Sequence, residues 1–159
     1  MSTKITGGTH RGRKLRSVRD VELRPTSERL RGAIFSIIGL NAVKGARVLD
    51  LYAGTGALGI EALSRGAAWA DFVEENSRLA KRLRENLDQM SLGEWSGVYR
   101  ASVQKILNKL PGLYDLVLID PPYAMHAWDN LMIDLSDGKL VTDNGVVVVE
   151  HRHRTKLSE

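Results

Sequence analysis

From residue 46 onward the chain alternates short apolar runs with stretches of helical spacing. Arg47-Val48-Leu49-Asp50-Leu51-Tyr52 is apolar enough on both faces to read as a buried strand. A glycine-rich turn and a helix to about Arg65 follow, and Trp69–Glu74 makes a second strand. Over 77–90, Leu79, Leu83 and Leu87 recur every four residues on one face with Lys, Arg and Glu on the other, which predicts an amphipathic helix. Val98–Ala101 reads as a short third strand, 103–109 as a short helix, Tyr114–Ile119 as a fourth strand, 126–135 as a helix and Val146–Glu150 as a fifth strand. Strands separated by helices predict a doubly wound α/β domain, a mostly parallel sheet with helices on both faces. The expected fold is Rossmann-like.

Upstream the pattern changes. Residues 1–23 alternate basic and apolar positions around Gly7-Gly8 and Gly12, as in a short hairpin or an irregular arm. Arg24-Pro25-Thr26 then starts a helix, with Thr26 as cap and Glu28 in the first turn. Leu30, Ile34, Ile37 and Ile38 form its apolar stripe, which ends near Gly39. The expected organisation is an N-terminal arm over 1–23 and one domain over 24–159.

Composition narrows the chemistry. A chain of 159 residues, 43% hydrophobic, suits one domain with a real core. No cysteine is present, which excludes disulfides, thiolate metal sites and cysteine nucleophiles and is compatible with a cytoplasmic location. No apolar run approaches the ~20 residues of a membrane span, and the N-terminus lacks a signal-peptide core. The net charge of +4 is unevenly placed: residues 1–31 hold nine Lys and Arg against three acids, and the rest holds fourteen basic against sixteen acidic residues. A basic excess in the arm is what contact with nucleic-acid phosphates requires, though a solvated arm without a partner has the same composition. Arg11, Arg13, Lys14, Arg24 and Arg29 are the candidate phosphate contacts.

The turn after the first strand reads Asp50-Leu51-Tyr52-Ala53-Gly54-Thr55-Gly56-Ala57-Leu58-Gly59. Gly54, Gly56 and Gly59 match G-x-G-x-x-G between a strand and a helix, a device that brings backbone close to a nucleotide-like ligand. Ala53 and Thr55 complete the loop. Glu74, at the tip of the second strand, can accept hydrogen bonds from both ribose hydroxyls of an adenosine moiety. Its neighbour Glu75 is the weaker candidate. The Ser102 hydroxyl or the Val103 N–H can read an adenine edge, and a plain helix cap at Ser102 is an equal alternative. Asp50 either faces a cationic amino group or holds the glycine loop through backbone N–H groups, and the two roles are compatible.

Asp120-Pro121-Pro122-Tyr123 follows the apolar run Leu116–Ile119, which places it in the loop at the carboxyl end of a strand. A carboxylate and a proline carbonyl accept hydrogen bonds from an exocyclic amine, and the tyrosine face stacks on the ring that carries it. The tetrapeptide therefore points to methylation of an amino group on a nucleobase. His126 and Trp128 read as helix packing rather than a lid, and His151 and His153 lack ligand spacing, so no metal site is expected.

The pairing of Asp50…Gly54-Thr55-Gly56 with Asp120–Tyr123 resembles the class I S-adenosylmethionine-dependent methyltransferases acting on amino groups. Further blocks narrow the resemblance: Ile5-Thr6-Gly7-Gly8, Arg11-Gly12-Arg13-Lys14-Leu15, Arg24-Pro25-Thr26, Arg29-Leu30-Arg31 and Ala57–Arg65. In this order, over nearly the whole chain, they resemble the bacterial 16S ribosomal RNA guanine-N2 methyltransferase (RsmD) family. The resemblance implies S-adenosylmethionine over the glycine loop, S-adenosylhomocysteine as product, and a guanine of 16S ribosomal RNA in the small subunit or an assembly intermediate against Asp120–Tyr123. Two departures stand out. Ser102 replaces the Asp or Asn common in relatives, and the chain ends soon after the fifth strand, where this fold normally continues into an antiparallel hairpin. The competing readings are a DNA or RNA adenine-N6 or other amino-group methyltransferase, a nicotinamide dehydrogenase, and a non-catalytic RNA-binding factor. Oligomeric state is not legible.

Overall fold

A computed structural model describes residues 3–21, 26–122, 128–137 and 139–151. Its centre is a five-stranded parallel sheet of β3 (Arg47–Leu51), β4 (Trp69–Val73), β5 (Ser96–Tyr99), β6 (Tyr114–Ile119) and β7 (Val141–Val149), in the order β5-β4-β3-β6-β7. The chain enters at β3, builds outward through β4 and β5, then crosses back to add β6 and β7 on the other side. The doubly wound α/β expectation holds.

Alternation along the strands divides the core into two layers. Val48, Ala70, Phe72, Leu116 and Leu118 face one side, with Ile60 of α3 (Ala57–Ser64) and Leu83 and Leu87 of α4 (Ser77–Gln89). Leu49, Leu51, Val73, Val117 and Ile119 face the other, against Val103 of α5 (Val103–Ile106), Leu107, and Leu131 and Leu135 of α6 (Trp128–Ser136). Both faces of the sheet are covered, which explains why its strands carry so few polar positions. Helix α4 follows its predicted stripe and is capped by Asn76, whose side chain accepts from the N–H groups of Arg78 and Leu79.

The N-terminal segment pairs β1 (Thr3–Lys4) with β2 (Lys14–Leu15) in an antiparallel hairpin. Ile5 and Leu15 are only 1% exposed and belong to the same buried layer as α3 and α4. Polar contacts seal this seam: His10 N–H donates to Ser64 Oγ, Ser64 Oγ–H donates to the Gly7 carbonyl, and Arg16 N–H donates to Asn86 Oδ1.

Four elements depart from the sequence reading. Helix α1 (Glu28–Ile38) is capped by Ser27, which accepts from Leu30 N–H, and not by Thr26. Its buried positions are Arg31 and Phe35, whereas Leu30 is 37% and Ile37 85% exposed. The helix turns this way because Glu61, fully buried on α3, lies 3.5 Å from Arg31 Nε, while Arg65 lies over the Phe35 ring. A four-residue helix α2 (Leu40–Val43) follows α1. Strand β5 starts and ends two residues earlier than expected; it stops at Tyr99, whose carbonyl accepts from both Glu74 and Ala101 as the chain leaves the ladder. Strand β7 starts five residues earlier. Tyr114 pairs with Val141 and Leu116 with Val146, so the pairing absorbs extra residues around the turn-like Asp143-Asn144-Gly145. Among the described residues no helix is long and apolar enough to cross a membrane.

Candidate active site

The carboxyl ends of β4, β3 and β6 lie side by side, with Leu51 level with Val73 on one flank and Ile119 on the other. Glu74 and Asp120 are the next residues on the two flanking strands, and Asp50 is the penultimate residue of β3. Between β3 and β6 the winding of the sheet reverses, the position where open α/β sheets bind their ligands.

Asp50 is 1% exposed, and its Oδ2 accepts from Gly59 N–H at 2.8 Å. Burial pushes its carboxyl up to about 8; the Gly59 N–H opposes that, and the charges of Asp120 and Glu74 add to it. Of the two roles read from the sequence, holding the glycine loop is the one made by a hydrogen bond here. Gly59 is required by space. A Cβ there would stand 2.3 Å from Phe72 Cε1 and 3.0 Å from Asp50 Oδ2. Gly56 opens α3 in the left-handed region, at φ 91°, where a side chain would also run into Leu83.

Glu74 binds the loop from the opposite flank, with Oε2 accepting from Gly54 N–H and Oε1 from Asn76 N–H, both at 2.8 Å. Each carboxylate oxygen keeps a second lone pair for a ligand hydroxyl. Glu75 is exposed. Ala53 is fixed by its N–H to Val73 O, and the Thr55 carbonyl accepts from the fully buried Asn86. Asn86 also donates to the Arg16 carbonyl, so one amide joins the hairpin to the glycine loop.

Ser102 occupies the N-cap position of α5 without a side-chain cap hydrogen bond, and Val103 is buried beneath it. Tyr52, directly after β3, has φ 59°, an uncommon conformation for a side chain of this bulk, and its hydroxyl accepts from Gln104 Nε2 at 3.3 Å. Sequence reading assigned Tyr52 no role, and nothing in its type or spacing signals that conformation. Asp120 Oδ2 accepts a 2.5 Å hydrogen bond from the Thr26 hydroxyl. Pro121 is buried and Pro122 exposed. Tyr123, Arg24, Pro25, His126 and His153 lie outside the described residues.

On the hairpin Arg11, Arg13 and Lys14 are exposed, as is Arg29 on α1. Arg13 reaches Gln89 O and Arg78 reaches Arg19 O, so the hairpin runs along α4. Arg31, counted in the basic excess above, is fully buried and faces Glu61, which removes it from the charged surface.

This order of strands around a glycine loop and strand-end acids is the architecture of class I methyltransferases. A solved structure, "Putative methyltransferase yhhF from Escherichia coli", superposes with a TM-score of 0.87 at 30% identity, covering 99% of this chain and 86% of that one. In sequence the chain is 33% identical to "Ribosomal RNA small subunit methyltransferase D" of Escherichia coli K12 over 92% of its length and 73% of the relative's. It is 31% identical to "Putative rRNA methyltransferase YlbH" of Bacillus subtilis over 98% of its length and 86% of the relative's. Residues 3–159 match the family described as "Conserved hypothetical protein 95". The chain belongs to that family, which is the RsmD family its sequence blocks resemble.

Proposed function

We propose that this protein transfers a methyl group from S-adenosylmethionine to the exocyclic N2 amine of a guanine in 16S ribosomal RNA. The observation that carries the reading is the cluster of three acidic residues, Asp50, Glu74 and Asp120, around the glycine loop. Glu74 and Asp120, with the buried Asp50 held toward its protonated form behind them, favour a ligand with cationic groups over the pyrophosphate of a dinucleotide, which weighs against the dehydrogenase reading. The residues therefore fit the cofactor. Gly54, Gly56 and Gly59 would leave room for it, Glu74 would accept from its ribose hydroxyls, Asp50 would face its amino group, and Ser102 and Val103 would read its adenine. Once bound, S-adenosylmethionine supplies a methyl group on a sulfonium, which is open to direct displacement by nitrogen.

The chain's own part is to hold the amine in line and keep its lone pair available. Asp120 and the Pro121 carbonyl would accept the amine's hydrogens, and the positive charge that develops on nitrogen falls beside the Asp120 carboxylate. Tyr123 would fix the plane of the base. A paired base must first leave its stack, at a cost of a few kcal/mol. Arg11, Arg13 and Lys14 on the hairpin, with Arg24 and Arg29, would offset that cost by phosphate attraction. The names of the relatives at 31% and 33% identity support ribosomal RNA as the substrate class, and guanine N2 follows from the resemblance of the sequence blocks.

The test is transfer of labelled methyl from S-adenosylmethionine to unmodified small subunits and to free 16S RNA, with mapping of the product nucleotide. The expected product is N2-methylguanosine. Asp120→Ala is expected to abolish transfer while the cofactor dissociation constant stays within about threefold of wild type. Unchanged turnover in that variant, or a methyladenosine product, would overturn the assignment.

A further inference from the structure

Thr26 is 6% exposed and lies 94 residues from Asp120 in the chain, yet its hydroxyl donates to Asp120 Oδ2 at 2.5 Å. Ser27 caps α1, so the Thr26 hydroxyl is not spent on the helix start. The backbone of Thr26 is fixed in turn. Its carbonyl accepts from Arg31 Nη1 at 2.7 Å, and Arg31 is wholly buried, with Nη2 donating to Lys4 O and Thr3 Oγ1 and Nε 3.5 Å from Glu61 Oε1. A buried guanidinium is costly unless its hydrogen bonds are made. Here the bonds of Nη1 and Nη2, with the Glu61 charge facing Nε, tie the first strand of the hairpin and the start of α1 to one point.

From this geometry we infer that Thr26 is a positioning residue: its hydroxyl sets the orientation of the Asp120 carboxylate toward the amine that is methylated. A carboxylate at the start of a loop can rotate about its side-chain torsions. A donor fixed through a buried arginine removes that freedom and leaves the carboxylate's remaining acceptor capacity with a defined direction. The inference rests on Asp120 as the amine acceptor. It adds that the N-terminal segment takes part in aiming the acceptor, through the Thr26 hydroxyl.

The test compares wild type, Thr26→Val, Thr26→Ser and Asp120→Asn, all as full chains, with small subunits and S-adenosylmethionine. Steady-state kcat and KM for the subunit are measured beside the calorimetric dissociation constant for the cofactor. Loss of one hydrogen bond to a charged group predicts a fall in kcat of about 10- to 100-fold in Thr26→Val. KM and cofactor affinity should stay within about threefold of wild type. Thr26→Ser keeps the hydroxyl and should retain most of the rate. Wild-type kcat in Thr26→Val, with Asp120→Asn inactive, overturns the role of Thr26 and leaves that of Asp120 standing. Equal loss in Thr26→Ser and Thr26→Val overturns it too, since bulk rather than the hydroxyl would then matter. Full turnover by Asp120→Asn removes the amine-acceptor reading, and this inference with it.

Discussion

Asp50 shows how a single residue can hold structure together from an electrostatically unfavourable position. It holds the glycine loop through Gly59 N–H, but it does so from a site where burial, reinforced by Asp120 and Glu74, favours the protonated form. The folded chain therefore takes up a proton at Asp50 below about pH 8 that the unfolded chain, with an ordinary carboxyl near 3.8, has already lost. Because the folded-state pKa is the higher one, stability from this group is full at low pH and declines as pH rises through that window. Measured by urea denaturation without cofactor, wild type should lose stability relative to Asp50→Asn by about 1 kcal/mol per pH unit between roughly pH 5 and 7. A difference that does not change with pH would mean that Asp50 is charged throughout. Gly59 belongs to the same local logic, since its missing side chain lets Phe72 and Asp50 close on the loop together.

At the scale of elements, the seam between the hairpin, α1 and α3 converges on Glu61. Its carboxylate accepts from Thr6 N–H, Thr6 Oγ1, Gly7 N–H and Arg65, and it faces Arg31, with Glu61 and Arg31 both at 0% exposure. Removing one partner of a buried ion pair strands the other, so Glu61→Ala should lower stability by about 3–5 kcal/mol, seen as a fall in urea midpoint. An effect under about 1 kcal/mol would show that the hairpin contributes little to the folded domain. The same seam marks the limit of what the sequence discloses. β3, β4 and β6 were legible because strands covered on both faces must be apolar almost throughout, and α4 because its leucines recur at helical spacing. The buried face of α1 was not legible, since turning Arg31 inward requires a carboxylate thirty residues later. Nor was the first part of β7, whose Thr142-Asp143-Asn144-Gly145 has the composition of a turn. Within the site, Gly59 could be found from the glycine spacing, and Glu74 and Asp120 from their positions at strand ends. The bond between Thr26 and Asp120, and the Asn86 amide shared by Arg16 and Thr55, left no local trace because each joins segments far apart in the chain.

For the molecule as a whole, the reversal of winding between β3 and β6 gathers acids from three strands at one edge, and the hairpin closes over α3 and α4 beside it. That closure has a kinetic side. Thr6 reaches Glu61 across 55 residues, Arg16 reaches Asn86 across 70, and His10 reaches Met90 across 80. Contacts of such span repay their loop-closure entropy only after the intervening chain is ordered, so the hairpin should be among the last elements to dock. Native-state hydrogen exchange offers the check. The amides of Thr6 and Gly7 should exchange through an opening of lower free energy than those of β3, β4 and β6, and protection equal to theirs would place the hairpin in the same cooperative unit. If the hairpin docks last, the basic segment passes through an interval in which its arginines are untethered while the sheet beneath them is already built. Aiming the Asp120 carboxylate would then be a closing step of folding, completed only when the two ends of a long detour in the chain meet.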